Sequence, residues 1–218
     1  MDIFDSAKKG DLNTIISYIK DKGDVNIKNR DGMTILMIAV HNSHIEIVKR
    51  LIKIKKYFVF PQTNINARTK EYRPKSEKYL DLVYGWTSLM IATQNGDIEI
   101  VRLLLNARAD VNARSEEYTN LSYGETALMI AASDGNRDIT KLLINFGANV
   151  NLKDSAGITA LINATVYNHA EIVKLLIDDG ADVNAEEING ITALVFADNS
   201  SYTEIVKLLK SAGAISYY

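Results

Sequence analysis

Short apolar stretches with helical spacing recur in pairs along the chain, and polar or glycine-containing links separate them. In residues 160–177, Leu161 and Ala164 are three positions apart, and Ile172, Val173 and Leu176 follow after a polar link. Apolar residues at such intervals line one face of an amphipathic helix. The pattern therefore predicts pairs of short helices, each about three turns long and too short to be stable alone in water.

Two sequence anchors repeat with these pairs. The first is Gly-x-Thr-x-Leu, with its threonine at Thr34, Thr87, Thr126, Thr159 and Thr192. The second is a β-branched residue followed by Asn26, Asn66, Asn112, Asn151 or Asn184. The last three threonines are 33 residues apart. A threonine oxygen can accept a hydrogen bond from the first turn of a helix, so each threonine is predicted to begin one.

These anchors resemble the ankyrin repeat, which has a 33-residue period and a Thr-Pro-Leu-His start. Here the proline is replaced by Ile35, Ser88, Ala127, Ala160 or Ala193, and the histidine by Met37, Met90, Met129, Ile162 or Val195. The resemblance implies an all-α ankyrin-repeat solenoid of helix-turn-helix units with hairpin loops, forming a single domain over residues 1–218. The units are expected near 1–28, 29–81, 82–120, 121–153, 154–186 and 187–218, with the first and last as caps.

Insertions break the 33-residue frame at three places, around residues 53–62, 68–84 and 114–123. The last two fall in the same place, the hairpin between repeats. Both begin at the arginine of an Asn-Ala-Arg sequence and end at the tyrosine of a Tyr-Gly sequence. Insertions in repeat proteins tend to lie on one face, often the binding face. The two extended hairpins are therefore candidates for a partner-binding site.

Aromatic residues are concentrated in these two hairpins, at Tyr72, Tyr79, Tyr84, Trp86, Tyr118 and Tyr123. Tyrosine and tryptophan supply large contact area and dominate interface hot spots, so these six are predicted to contact a partner. The second hairpin ends at Glu125, which is included in the predicted contact set. Alternatively, the hairpins pack on each other through their tyrosines. Both interpretations can hold together, because packed hairpins would also be preorganised.

The resemblance also implies contacts on the concave face, at positions that follow the alanine of each first helix. These are His41, Asn42, Gln94, Asn95, Ser133, Asp134, Val166 and Tyr167. The predicted function is a non-catalytic scaffold that binds another protein. The alternative is an inhibitor or immunity-type regulator of one enzyme. An enzyme or small-molecule binder is a third hypothesis. A designed repeat protein is a fourth, which the irregular insertions disfavour.

Composition narrows the partner classes. The chain has 25 basic and 27 acidic residues, a net charge of −2, which does not favour nucleic-acid binding. It has no cysteine, and therefore no disulfide or thiolate metal site. No segment approaches the roughly 20 apolar residues of a membrane span. The N-terminus lacks a secretory signal pattern. We expect a cytoplasmic monomer that binds neither nucleic acid nor membrane.

Candidate chemistry is sparse. His44 and His169 follow the turn between two helices and are predicted to be structural. His41 could share a metal with His44, but the only further ligand nearby is Glu46, so no metal site, cofactor or catalytic residue is predicted. Met37, Met90 and Met129 recur at one repeat position and are predicted to lie in the core. The basic and aromatic segment 53–60 could contact nucleic acid or membrane, although packing against the stack is favoured.

Overall fold

The computed structural model describes residues 2–54, 62–69, 85–116 and 123–215. Its described part contains twelve helices and only isolated β-bridges besides: α1 Ile3–Lys9, α2 Leu12–Lys20, α3 Ile35–His41, α4 Ile45–Ile52, α5 Ser88–Gln94, α6 Ile98–Asn106, α7 Ala127–Ser133, α8 Arg137–Asn145, α9 Ala160–Val166, α10 Ala170–Asp178, α11 Ala193–Asn199 and α12 Thr203–Ser211. The all-α repeat fold is as predicted.

Contacts divide the chain into two compact units, Met1–Asp110 with α1 to α6 and Val111–Tyr218 with α7 to α12. In the first unit, α1, α3 and α5 pack in one row and α2, α4 and α6 in another. In the second, α7, α9 and α11 form one row and α8, α10 and α12 the other. The prediction that residues 1–218 form one domain stays a prediction.

Threonine begins the first helix of five pairs, as predicted. The hydroxyls of Thr34, Thr87, Thr126, Thr159 and Thr192 each accept a hydrogen bond from the backbone N–H three residues on, at 3.2–3.4 Å. Each threonine has extended backbone angles, the usual conformation of an N-cap. These bonds satisfy one of the amide groups that a helix start leaves without an internal partner.

The turns also follow the sequence pattern. Gly96, Gly135 and Asn168 lie between paired helices with φ of 73°, 72° and 60°, and Gly147 and Gly180 follow second helices with φ of 86° and 83°. The helices have 7 to 9 residues, about two to two and a half turns. The predicted length of three turns was wrong, because turns with a residue at positive φ, such as Gly96, Ser43 and Arg108, end the helices earlier.

The first helices of the inner pairs, α3, α5, α7 and α9, are buried along most of their length, whereas α1 and α11 of the terminal pairs bury fewer residues and the second helices bury one face. In α7 every residue from Ala127 to Ala132 is buried, while α10 buries Ile172, Val173 and Leu176. The sulfur-bearing residues predicted for the core are indeed there, with exposed fractions of at most 1% for Met37, Met90 and Met129. In the part of the chain that is described, no helix is both long and apolar enough to cross a bilayer.

Candidate interaction surface

Regular hairpins between repeats are closed by one polar side chain. In three of them a side-chain oxygen accepts a hydrogen bond from the backbone N–H of the residue four positions later. The acceptors are Asn29 Oδ1 at 2.9 Å, Asp154 Oδ1 at 2.8 Å and Glu187 Oε1 at 3.1 Å. Each also accepts from the N–H two residues on. A side chain that holds both amides fixes a short turn, as asparagine and aspartate commonly do.

The two extended hairpins use a hydroxyl for the same purpose. Thr69 Oγ1 accepts from the Trp86 N–H, and Ser115 Oγ accepts from the Glu125 N–H, both at 3.0 Å. The amides of Thr69 and Ser115 donate back to the carbonyl oxygens of Trp86 and Glu125 at 2.9 and 2.8 Å. Both insertions therefore start and end at a hydrogen-bonded pair of residues in equivalent positions of the repeat. Four of the predicted contact residues, Tyr72, Tyr79, Tyr84 and Tyr118, lie outside the described residues.

Neighbouring hairpins of the second unit are joined edge to edge. The Ser155 N–H donates to the Tyr123 carbonyl oxygen at 2.7 Å, and the Ile188 N–H donates to the Ala156 carbonyl oxygen at 2.8 Å. Tyr123 is 37% exposed and Ile188 is 75% exposed. Sequence reasoning missed Ile188. The sequence does contain an indication of its exposure. Ile188 lies in a turn, and the equivalent positions of two other repeats hold the polar residues Arg30 and Ser155.

The C-terminal ends of α7 and α9 add a second exposed region in this unit. Asp134 and Tyr167 are the C-cap residues of these two packed helices and occupy equivalent positions. Val166 is 38% exposed and Tyr167 is 58% exposed. His169 Nε2 donates to the Ser133 carbonyl oxygen at 3.0 Å, which links the end of α7 to the start of α10. The predicted positions Asp134, Val166 and Tyr167 thus lie at the surface.

The corresponding helix ends in the first unit are more polar. Gln94 and Asn95 are exposed. Asn95 Nδ2 donates to the carbonyl oxygens of Val40 and His41 at 3.1 Å each, and Asn42 Nδ2 donates to Ile38 at 2.8 Å. The amide groups of Asn42 and Asn95 therefore stabilise helix ends.

His44 has the structural role that its position predicts. Its Nε2 donates to the Lys8 carbonyl oxygen at 2.8 Å, which links α4 to α1. The same arrangement joins His169 to Ser133 in the second unit. Within the described ranges, no three histidine, aspartate or glutamate side chains are grouped so that they could hold a metal ion.

The predicted role of Trp86 as a partner contact is wrong. Its side chain was predicted to contact a partner, but only 2% of the residue is exposed. It follows the glycine of its anchor, as do Met33, Ile158 and Ile191 in other repeats, and this position faces the core. The hydrogen bonds with Thr69 hold the backbone of Trp86 at the base of the hairpin. Trp86 therefore belongs to the core rather than to the interaction surface.

Glu125 has a strongly perturbed carboxyl group. Burial raises its pKa from the ordinary 4.5 to about 7, and the negative charges of Asp154 and Asp134 add to the shift. Burial also raises the pKa of Asp134, against the opposing effect of His169. Low polarity and like charges both disfavour an ionised carboxylate. The ends of α7 and the adjoining hairpins therefore carry an acidic and partly desolvated surface.

The repeat geometry agrees with comparisons to known proteins. Residues 3–115 and 114–187 match the family description "Ankyrin repeats (3 copies)". The chain belongs to the ankyrin repeat family. Ankyrin repeat and SAM domain-containing protein 6 of mouse and of rat are 35% and 40% identical to it over 114 residues. Each alignment covers 52% of this chain but only 11% of the relative, so this ankyrin repeat chain aligns with a small part of those proteins.

Solved structures also match over nearly the whole chain. An ankyrin repeat domain from Acinetobacter baumannii is 29% identical, with a TM-score of 0.81 and 98% coverage of both chains. The ankyrin repeat domain of Bcl-3, a member of the IκB family, is 23% identical with a TM-score of 0.78, covering 99% of this chain and 87% of that one. A chain from the complex of a Bdellovibrio bacteriovorus predatory endopeptidase with an immunity protein is 25% identical, with a TM-score of 0.76 and 96% coverage of both.

Proposed function

We propose that this ankyrin repeat protein is a non-catalytic module that binds another protein through the inter-repeat hairpins and the ends of the first helices. One observation carries the proposal: in the second unit, Tyr123, Val166, Tyr167 and Ile188 are large apolar side chains with more than a third of their surface exposed. Tyr123 and Ile188 lie on hairpins that are both bonded to the hairpin between them, and Val166 and Tyr167 lie at the end of α9. Exposed apolar side chains are available for contact with a partner, and tyrosine is enriched among interface hot spots.

The hydrogen bonds of the hairpins support the same function. Tyr123 and Ile188 are held by backbone bonds to the hairpin between them, so their side chains are presented from a fixed frame. A preorganised surface loses less conformational entropy when a partner binds. The extended hairpins, with Tyr72, Tyr79, Tyr84 and Tyr118, are also proposed to contact a partner. Ankyrin repeats generally mediate protein–protein interaction, which agrees with this assignment.

Affinity purification from native lysate, followed by mass spectrometry, tests this function. The wild-type chain is compared with a Tyr123→Ala/Tyr167→Ala double variant and with Phe146→Ala as the matched control. Phe146 is 38% exposed, close to the exposure of Tyr123, but lies at the end of the second helix α8. We expect a stoichiometric partner that the control retains and the double variant loses, with unchanged melting temperatures. Equal recovery by all three, or recovery of no partner, contradicts the proposal.

A second candidate function is inhibition of one enzyme, in the manner of an immunity protein. The chain from the endopeptidase–immunity protein complex favours it, because that chain matches this one over 96% of both. If this is correct, the recovered partner is an enzyme, and its activity falls in proportion to added chain until a one-to-one ratio is reached. An enzyme whose turnover is unaffected by a saturating amount of the chain argues for a scaffold instead.

A further inference from the structure

The last helix pair, α11 and α12, exposes apolar side chains at positions that the inner repeats bury. Val195 and Phe196 are the third and fourth residues after the capping threonine of α11, and both are half-buried. The apolar residues that inner repeats place at these two positions are at most 2% exposed: Met37, Ile38, Met90, Ile91, Met129, Ile130 and Ile162. The first helix of the last pair therefore leaves two apolar side chains partly uncovered.

The second helix of the last pair shows the same loss of burial. Val206, the fourth residue after the N-cap of α12, is half-buried. Its equivalents in the inner repeats are 0% exposed: Val48, Val101, Thr140 and Val173. Ile205 and Leu209 of α12 remain 0% exposed, and α9 and α10 of the preceding pair pack against α11 and α12. Val195, Phe196 and Val206 therefore face away from the preceding pair, on the side where inner repeats receive the next one. We refer to these three residues as the C-terminal face.

An isoleucine at the end of the same repeat is also exposed. The Ile215 N–H donates to Asn184 Oδ1 at 2.8 Å, and Ile215 is 51% exposed. In earlier repeats the amide that bonds the equivalent asparagine belongs to a polar residue: Asn64, Asp110, Asn149 or Asp182. The exposed surface of the last repeat is thus more apolar at this position than that of the four repeats before it.

The first helix pair, α1 and α2, has polar residues at two positions that are apolar in the next pair. The two pairs align because the N-cap amide of each second helix donates to an equivalent carbonyl oxygen, that of Ser6 or Ala39. Asp5, which is exposed, then corresponds to Ile38, and Thr14, which is half-buried, corresponds to Ile47. Terminal repeats that face water are expected to be polar, as the first pair is at these positions. The last pair instead keeps apolar residues on its C-terminal face.

We propose that the C-terminal face binds the same face of a second copy of this chain, forming a two-fold symmetric dimer. The face continues the surface on which the repeats stack, so a helix pair of the same kind fits it. This chain supplies such a pair in α11 and α12. Pairing with α1 and α2 of another copy is disfavoured because Asp5 would lose hydration against an apolar surface. A two-fold interface uses one patch on both copies and closes at two chains.

The charges of the last helix pair also permit two copies to meet. The charged residues of α11 and α12 are two acids and two bases: Asp198, Glu204, Lys207 and Lys210. Lys210 Nζ lies 3.8 Å from Asp198 Oδ1, so one acid and one base are already paired within the chain. Because the two helices carry no net charge, they do not repel their copy, whereas helices of one charge sign would. The proposal replaces the monomer expected from the sequence and does not depend on the proposed binding of another protein.

Sedimentation equilibrium of the full chain over a range of concentrations tests the proposal. The wild type is compared with Phe196→Asp, which gives α11 the residue type that α1 has at the equivalent position, and with Phe146→Asp as the matched control. Phe146 is 38% exposed and follows α8 in the same unit. We expect a reversible dimer for the wild type and the control. The dimer dissociation constant should be at least about tenfold higher for Phe196→Asp, because a carboxylate loses hydration in the interface.

A cysteine cross-link tests the same contact without adding a charge, so it decides the question even if Phe196→Asp does not fold. The chain has no cysteine, and Val195→Cys or Phe146→Cys therefore introduces a single reactive thiol. We expect a short bis-maleimide to link Val195→Cys into covalent dimers and to leave Phe146→Cys monomeric at the same concentration.

Four results would overturn the proposal. A wild type that stays monomeric at every concentration, or a dimer that Phe196→Asp leaves unchanged, shows that the C-terminal face does not pair with itself. Assemblies that grow beyond two chains indicate head-to-tail stacking, which a closed two-fold dimer excludes. Equal cross-linking of the two cysteine variants excludes the C-terminal face as the contact.

Discussion

At the scale of single residues, Glu125 links the stability of the chain to pH. Its pKa is about 7 in the folded chain against an ordinary 4.5, so the folded state binds the proton more tightly between these values. The contribution of this group to stability is therefore largest below pH 4.5 and is lost as pH rises through 7, by up to about 3 kcal/mol. Ionising the buried carboxyl beside Asp154 and Asp134 is the physical cause.

Urea unfolding between pH 4.5 and pH 7.5 checks this prediction. The free energy of unfolding of Glu125→Gln should exceed that of the wild type by an amount that grows with pH. Asp134, whose pKa is also raised, acts in the same direction in both proteins and largely cancels in the difference. Parallel pH profiles for the two proteins would show that Glu125 is not perturbed as described.

Two glycines with the same backbone conformation give a matched pair of substitutions. Gly135 and Gly180 have φ of 72° and 83°, where a side chain costs about 1–2 kcal/mol. A Cβ on Gly135 would lie 2.5 Å from His169 Cε1, whereas nothing lies within 4 Å of one on Gly180. Gly135→Ala should therefore lower the melting temperature more than Gly180→Ala. Equal losses would mean that His169 moves aside at no cost.

At the scale of the elements, the first helices depend on their threonine caps. Thr159 is 2% exposed and accepts from the Ile162 N–H at 3.2 Å, so Thr159→Ala should cost about 1 kcal/mol. Thr203→Ala, at an exposed position in α12, serves as the control and should change stability much less. Urea unfolding of both variants measures the difference in the free energy of unfolding. Equal effects would show that the capping hydroxyl of Thr159 does not stabilise the chain.

The helix pairs could be predicted from sequence because their determinants are local. Thr159 caps α9, Asn168 turns the chain into α10, and Gly180 ends the pair, all within one 33-residue repeat. Local hydrogen bonds and backbone preferences recur with the repeat, so several copies reinforce one pattern. Helix length was overestimated because the apolar spacing continues past the residues where the turns begin.

The interaction surface could be predicted only in part. The exposure of Tyr167 follows from its place in the repeat frame, but the burial of Trp86 and the exposure of Ile188 do not. The side chain of an aromatic residue beside an insertion can lie in the core or at the surface, and tertiary packing decides between these locations. The like charges around Glu125 come from Asp134 and Asp154, which the fold rather than the sequence brings near it.

At the scale of the whole molecule, each unit carries its own stacked rows of helices. Stability in such repeats is approximately a sum over repeats and their interfaces. Exposed residues such as Tyr123 and Tyr167 add little to that sum, which leaves them available for binding without a cost to folding. The fold thus separates the side chains that hold the repeats together from those proposed to meet a partner.

Hydrogen–deuterium exchange on the purified complex tests the central claim, partner binding through hairpins and first-helix ends, most directly. The account predicts that the partner slows exchange in the hairpins around residues 114–125 and 153–158 and at the ends of α7 and α9. Exchange along the exposed faces of α8 and α10 should not change. Protection confined to α8 and α10, with these hairpins unaffected, would contradict the account.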